Sequence, residues 1–102
     1  MSRRLDLQLE LEELLGSRNV YFQPPTSIKL KYPCIIYSLD SSYNTFANDK
    51  RYFNKKKYDV IFITNNADSD FADKIIEHFF YCAESRRYTA ENLYHMAFIL
   101  YY

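Results

Sequence analysis

The sequence predicts an α+β domain in which two helices pack on one face of a mainly antiparallel sheet. Two segments have the composition or apolar spacing of helices, and five have the character of strands, in the order α-β-β-β-α-β-β. The chain has 102 residues, which is enough for one modest core and too few for two. Residues 1 to 102 are therefore expected to form a single small domain.

The N-terminal segment, residues 4 to 15, fits two patterns. Four of its leucines alternate as in a strand, whereas a second set follows a helical stripe: Leu7, Leu11, Leu14 and Leu15. Leu, Glu and Gln favour a helix, no β-branched residue occurs, and Gly16 stands where a helix-ending glycine belongs. We therefore predict a helix. Leu5 and Leu9 then point away from the main stripe, which makes this helix apolar on two sides.

Three strands are expected next, at residues 19–23, 32–39 and 51–64. Pro24-Pro25 ends the first strand because proline has no N–H to donate to a sheet. Residues 40 to 50 are polar and rich in turn formers, which indicates a loop.

A turn at residues 65–68 precedes the second helix, with Asp68 or Ser69 as its cap. Two final strands follow, at residues 82–88 and 93–101, joined by residues 89–92. Six apolar residues recur at helical spacing and are expected to share one face of this helix. They are Phe71, Ala72, Ile75, Ile76, Phe79 and Phe80.

Both faces of the predicted sheet are apolar. In the second strand, Cys34 and Ile36 lie on one face while Ile35 and Tyr37 lie on the other, and the last strand has the same property. A half-buried antiparallel strand normally alternates apolar and polar residues. If both helices cover one face, the other face presents a large apolar patch, which indicates an oligomer or an assembly interface.

Composition excludes several classes of protein. Thirteen basic and thirteen acidic residues give a formal net charge of zero, which argues against a globally basic nucleic-acid binder. The single glycine permits no glycine-rich phosphate loop. No segment has the pattern of a signal peptide or a membrane span, so we expect no membrane association. Cys34 and Cys82 have hydrophobic neighbours and are expected to be reduced core residues.

No constellation of residues predicts catalysis. His78, Cys82 and His95 are the best candidates for metal ligands, but their spacing matches no zinc motif. Neither a nucleophile elbow nor a nucleotide-binding motif is present. We therefore expect no enzymatic activity, no cofactor and no metal site.

The basic run at residues 50–58 interleaves lysines with aromatic residues. It has three interpretations: a solvated strand half whose lysines discourage aggregation, a surface that binds single-stranded nucleic acid, or a basic patch that pairs with a neighbouring subunit. The acidic stretch from Asp68 to Glu77 would supply the complementary patch for the third.

Several segments together resemble the small tail-terminator, or tail-completion, proteins of long-tailed bacteriophages. The resemblance covers residues 3 to 102 and is most specific in VYFQPP and KYPCIIYS, with support from ITNNADSD and RRYTAENLYHMAFILYY. It implies a hexameric ring that caps the tail tube, stops tube polymerisation and docks to the head. The implied partners are other copies of the chain, the tail-tube protein and a head-completion or neck protein.

The resemblance also implies a location in the virion at the head–tail junction, reached after assembly in the host cytoplasm. Genomic DNA would pass through the lumen without sequence-specific binding. Lysines are an unusual lining for such a conduit, so we expect Lys55, Lys56 and Lys57 to face a neighbouring subunit or the outer rim. The loop residues Tyr43 and Phe46 are expected to contact the tube or head partner.

The residues expected at subunit or partner interfaces are Leu5, Leu9, Tyr43, Phe46, Lys55, Lys56, Lys57, Asp70, Asp73 and Glu77. Two alternatives stay open. One is a head-closure (stopper) or other neck protein, although stoppers are more often small β-barrels. The other is a single-stranded nucleic-acid binding module built on an aromatic sheet.

Overall fold

The computed structural model describes residues 3–40 and 55–102. Within them the predicted order α-β-β-β-α-β-β is confirmed. The helices are α1 (Arg3–Leu15) and α2 (Phe71–His78). The strands are β1 (Val20–Phe22), β2 (Cys34–Leu39), β3 (Lys57–Thr64), β4 (Cys82–Ala90) and β5 (Leu93–Tyr101).

The five strands form one sheet in the order β1-β2-β3-β5-β4. The short strand β1 pairs in parallel with β2, and every other pairing is antiparallel. The two central pairings, β2 with β3 and β3 with β5, extend over the full lengths of β2 and β3. This arrangement leaves β1 and β4 as the edges of the sheet.

Register assigns each side chain to one of two faces. Tyr37, Val60 and Phe98 are paired across β2, β3 and β5, so they lie on one face, which we call the inner face. Ile36, Ile61 and Ala97 are paired in the same way one residue along each strand, and they define the outer face.

Both helices pack on the inner face, as the sequence predicts. Leu7 and Leu11 of α1 and Ile75 of α2 are buried in the same core as the inner-face residues. Phe71, at the start of α2, stacks on Phe62 of β3 with ring centroids 4.2 Å apart. Most apolar burial therefore occurs on this face, between the helices and the three central strands.

A buried tyrosine joins α1 to the sheet. Tyr37 is fully buried, and its hydroxyl donates to Gln8 Oε1 at 2.6 Å and accepts from Arg4 at 3.2 Å. Gln8 Nε2 in turn donates to the carbonyl of Val20 at 2.9 Å. One polar network thus connects the helix with β1 and β2 and satisfies the polar groups that packing has buried.

The ends of α1 and α2 follow local chemistry. Gly16 adopts a φ of +81° and donates its N–H to the carbonyl of Glu12, as expected of a helix-ending glycine. At α2 the N-cap residue is Asp70, whose side chain makes no capping hydrogen bond. The predicted cap residue Ser69 instead accepts a hydrogen bond from the N–H of Phe71 through its hydroxyl.

The prediction that six apolar residues share one face of the second helix is wrong for three of them. The helix ends at His78, and Phe79 is extended with φ −100° and ψ 133°. Phe79 is still buried, but the next side chain points the other way, and Phe80 is 91% exposed. Ile76 is 40% exposed on the solvent side of α2.

Three strands also begin later than predicted, and β1 does so by one residue, at Val20. β2 begins at Cys34, directly after the cis Tyr32–Pro33 peptide bond. β3 begins at Lys57, so Lys55 and Lys56 precede the strand, and residues 51–54 lie outside the described part of the chain.

The β4–β5 hairpin is longer than predicted and has a tight turn. Ala90 pairs with Leu93, so only Glu91 and Asn92 connect the strands, and both have positive φ, at 53° and 64°. Two positive φ values in a two-residue loop are typical of a type I′ turn, which matches the twist of the strands. A register shift between Glu84 and Arg86 places a bulge on the edge strand.

The first prediction concerns Tyr37. Tyr37→Phe removes the hydroxyl that bonds to Gln8 and Arg4 in a partly buried network, so we expect a loss of about 0.5–1.5 kcal/mol in the free energy of unfolding. Urea denaturation followed by circular dichroism measures it. Tyr21→Phe is the matched control because Tyr21 lies on the outer face, and an equal loss in both variants would contradict the role of the network.

The second prediction concerns the hairpin turn. Glu91 occupies the left-handed region, which favours Asn or Gly. We expect Glu91→Asn combined with Asn92→Gly to raise stability by about 0.5–1 kcal/mol, or about 2–8 °C in melting temperature. Thermal unfolding measures it, and a lower melting temperature would contradict the assignment of the turn.

Candidate interaction surfaces

An apolar stripe runs along the solvent side of α1. Leu5 and Leu9 are one helical turn apart and are 43% and 56% exposed, whereas Leu7 and Leu11 on the opposite side are fully buried. The helix is therefore apolar on two sides, and only one of them contacts this domain. The sequence pattern identified this surface.

The outer face of the sheet is the second surface. Ile36, Ile61, Ala97 and Ile99 lie on it and are half-buried, while both helices lie on the opposite side of the sheet. Charged side chains stand near the apolar centre, among them the exposed Asp59 on β3 and Arg86 on β4. An apolar centre with charged side chains around it is a common composition of protein–protein interfaces.

Three side chains stack at the β4 side of the outer face. The guanidinium of Arg86 lies over the ring of Tyr88, 4.7 Å from its centroid, and Tyr88 stacks on His95 with centroids 4.8 Å apart. The Nδ1 of His95 lies 3.1 Å from the carbonyl of Leu93. The sequence analysis missed this stack, although the two-residue spacing of Arg86 and Tyr88 in a strand was the available signal.

The three candidate lysines have different surroundings. Lys57 forms an ion pair with Asp40 at 3.1 Å, and the hydrogen bond to that carboxylate raises the pKa of the lysine. Lys55 lies over the ring of Tyr81 at 6.0 Å. Lys56 is exposed. Lys57 is therefore partly neutralised within its own chain, and Lys55 and Lys56 carry the remaining positive charge of this group.

The acidic candidates lie on α2. Asp70 pairs with Lys74 in its own helix at 3.8 Å, and this exposed pair contributes little to stability. Asp73 and Glu77 are exposed and one turn apart, so they form an acidic stripe beside Ile76. Two further candidates, Tyr43 and Phe46, lie outside the described residues.

An aromatic projection, which the sequence analysis missed, follows α2. We use this name for Phe80 and Tyr81, whose rings meet edge to face with centroids 4.8 Å apart. Phe80 is 91% exposed and Tyr81 is 42% exposed. Phe80 follows Ile76 at helical spacing, so the sequence pattern placed Phe80 on the helix. The pattern does not reveal that α2 ends at His78, two residues before Phe80.

A carboxylate joins the C-terminal residue to both helices. Glu10 of α1 contacts His78 Nε2 at 2.8 Å and accepts a hydrogen bond from the hydroxyl of Tyr102. Burial and this hydrogen bond raise the pKa of Tyr102 to about 12. His78 is thus engaged with a carboxylate, and it does not converge with His95, which lies on the outer face of the sheet.

The two cysteines are free thiols in separate places. Cys34 is on the outer face and Cys82 on the inner face, and β3 and β5 lie between their strands. Three strand spacings amount to about 14 Å, beyond the reach of a disulfide. Burial raises the pKa of each thiol to about 11.

In residues 3–40 and 55–102, no group of three His, Cys, Asp or Glu side chains is arranged to hold a metal ion. None of the helices described is long and apolar enough to cross a membrane. A scan against protein-family models finds no match, and searches of curated proteins and of solved structures find no significant match either.

The third prediction concerns the thiols. With a pKa near 11 instead of the ordinary 9, each thiol is protonated at pH 8.5, so native Cys34 and Cys82 should react slowly with a disulfide reagent such as dithiobis-nitrobenzoate. Unfolding in guanidinium should accelerate the reaction at least about tenfold, because the thiolate fraction rises with the return to the ordinary pKa. Fast native reaction of both thiols would contradict the structure.

The same shifts fix the sign of a pH dependence. A thiol whose pKa is raised by folding stabilises the folded state below the unfolded value near 9, and this contribution disappears as the pH rises through 11. Stability should therefore fall across pH 9–11, and a Cys82→Ser variant should show a smaller decline than the original chain.

Proposed function

We propose that this protein is a tail-terminator protein of a long-tailed bacteriophage, which assembles as a ring on the tail tube and docks to the head. The observation that carries the proposal is apolar exposure on several separate surfaces of one small domain. These are the α1 stripe, the outer face of the sheet and the aromatic projection. The sequence resemblance described above supplies the biological setting.

A ring subunit requires several distinct contact surfaces. Each copy of a closed ring contacts two neighbours through two different patches, because head-to-tail contacts are heterologous. Docking to a tube below and to a head above requires additional surface. Exposed leucines, isoleucines and aromatic residues at several places are costly for a monomer and appropriate for such a subunit.

The charge distribution fits the same proposal. The chain is neutral overall, with an acidic stripe on α2 and basic residues before β3. Such segregation favours ordered contacts between copies without making a strongly basic lumen that would retain DNA. In this proposal Lys55 and Lys56 face a neighbouring subunit or the outer rim. The partners are other copies, the tail-tube protein and a head-completion protein, at the head–tail junction of the virion.

The two alternatives are less well supported. Stopper proteins are more often β-barrels, whereas this sheet is open and has two edges. A single-strand binding surface in the basic segment would use aromatic rings for base stacking. Tyr58 of that segment is only 4% exposed, which removes one of the rings that this interpretation needs.

The fourth prediction tests the function genetically. Electron microscopy of particles from a phage or prophage that lacks this gene should show filled heads beside unattached tails of abnormal, often excessive length. Tails of normal length with heads that leak DNA would favour the stopper. Intact infectious virions would overturn the proposal.

Complementation sharpens this experiment. Leu9→Glu places a charge on the α1 stripe without touching the core, so we expect a folded protein that fails to restore tail length. Arg18→Glu, at an exposed position after α1, is the matched control and should restore it. Equal complementation by both variants would exclude the α1 stripe as a contact surface.

A further inference from the structure

A large apolar cavity lies on the outer face at the β1–β2 side of the sheet. It has a volume of about 460 Å³, is open to solvent, and lies between β2 and the segment that connects β1 to β2. Its lining is mainly apolar and includes Pro24, Pro25, Ile28, Leu30 and Ile36. The volume falls within the range of ligand-binding pockets, which begin near 300 Å³, and it accommodates an aromatic side chain.

The aromatic projection lies at the other side of the same sheet. Phe80 precedes β4, the edge strand farthest from β1, so four strand spacings, about 19 Å, separate the two edges. Phe80 therefore cannot enter the cavity of its own chain. It can enter the cavity of another copy, and because the two surfaces differ, the contact is heterologous and repeats from copy to copy.

The charges on the α2 side of the projection are complementary to those beside the cavity. Asp73 and Glu77 form the acidic stripe on α2, which ends two residues before Phe80, and Lys55 lies over the ring of Tyr81 on the other side of the projection. Lys29 and Lys31 are exposed in the segment that lines the cavity. Opposite charges around an apolar contact favour this pairing and disfavour contact between two identical surfaces.

We infer that Phe80 of one copy inserts into the cavity formed by Pro24, Pro25, Ile28, Leu30 and Ile36 of the next copy, with Glu77 facing Lys29. This inference rests on the proposed ring assembly and specifies which two surfaces build it. The contact has the features of an interface anchor: one aromatic side chain, a preformed apolar pocket and a charged rim. The two prolines restrict the backbone of the pocket wall, which lowers the ordering cost of binding.

Directed disulfide formation tests this contact. One chain carries Tyr81→Cys and a second, distinguishable by a longer tag, carries Thr26→Cys, so that Phe80 and Ile28 are retained; both chains also carry Cys82→Ser, and Cys34 is fully buried. Tyr81 and Thr26 are both exposed, so neither substitution disturbs the core. The mixed chains at ~100 μM should give disulfide-linked heterodimer at least about tenfold above either homodimer, because contact raises the effective concentration to the millimolar range.

Paired charge-reversal variants provide the second part of the experiment. Glu77→Lys in the first chain should lower the heterodimer yield, and Lys29→Glu in the second should restore it. Glu13→Lys, at an exposed position on α1, is the control and should leave the yield unchanged. Circular dichroism verifies that every variant is folded.

Three results would overturn the inference: homodimers as abundant as the heterodimer, no heterodimer above background, or no restoration by the paired charge reversal. The outcome is separable from that of the gene-deletion experiment. If cross-linking is selective but the gene deletion gives intact virions, the proposed contact is retained and the terminator function is rejected. If the gene deletion gives tails of abnormal length but cross-linking is not selective, the function is retained and the ring contact must use other surfaces.

Discussion

The interaction on which the rest of the structure depends is the packing of both helices against the same face of the sheet. Leu7, Leu11 and Ile75 meet Tyr37, Val60 and Phe98 in one buried cluster, and this cluster is the main source of hydrophobic stabilisation available to a small domain. Since neither described helix covers the opposite face, three of its isoleucines, Ile36, Ile61 and Ile99, are only half-buried. The hydrogen bond from the buried Tyr37 to the partly buried Gln8 helps to fix α1 in this position. The same packing that stabilises the domain thus creates its candidate interface.

One side of helix α1 packs in the core, and the opposite side is available for contact with another protein. Its two leucine pairs lie on opposite sides, with Leu7 and Leu11 in the core and Leu5 and Leu9 in solvent. A helix that served the monomer alone would gain solubility from polar residues at the exposed positions. Leucines there reduce solubility and offer apolar area that another protein can cover. The proposed ring and its tube partner would use such area.

The sequence was sufficient for the order of elements, the single domain and the two-sided apolar sheet, because these follow from period and composition. It also located the α1 stripe and the acidic stripe. It did not predict that Lys57 pairs with Asp40, since the contact depends on where a distant segment ends beside β3. It placed Phe80 on the buried face of a helix because Phe80 continues the spacing of Ile76. It missed the Arg86–Tyr88–His95 stack, which requires knowledge that β4 and β5 are paired in that register.

The exposure of Phe80 follows from the way in which α2 ends. Glu10 holds His78 at the last position of the helix, and the rings of His78 and Tyr102 meet the edge or face of Phe79. Phe79 is therefore kept in the core while its backbone turns to an extended conformation. Because side chains alternate along extended backbone, burial of Phe79 directs Phe80 outward, and β4 begins two residues later. A helix extended by one further turn would place residue 80 beside Ile76 on the helix surface and remove the projection. The carboxylate–histidine–tyrosine contact at Glu10 is thus a structural determinant of the surface that we assign to the neighbouring copy.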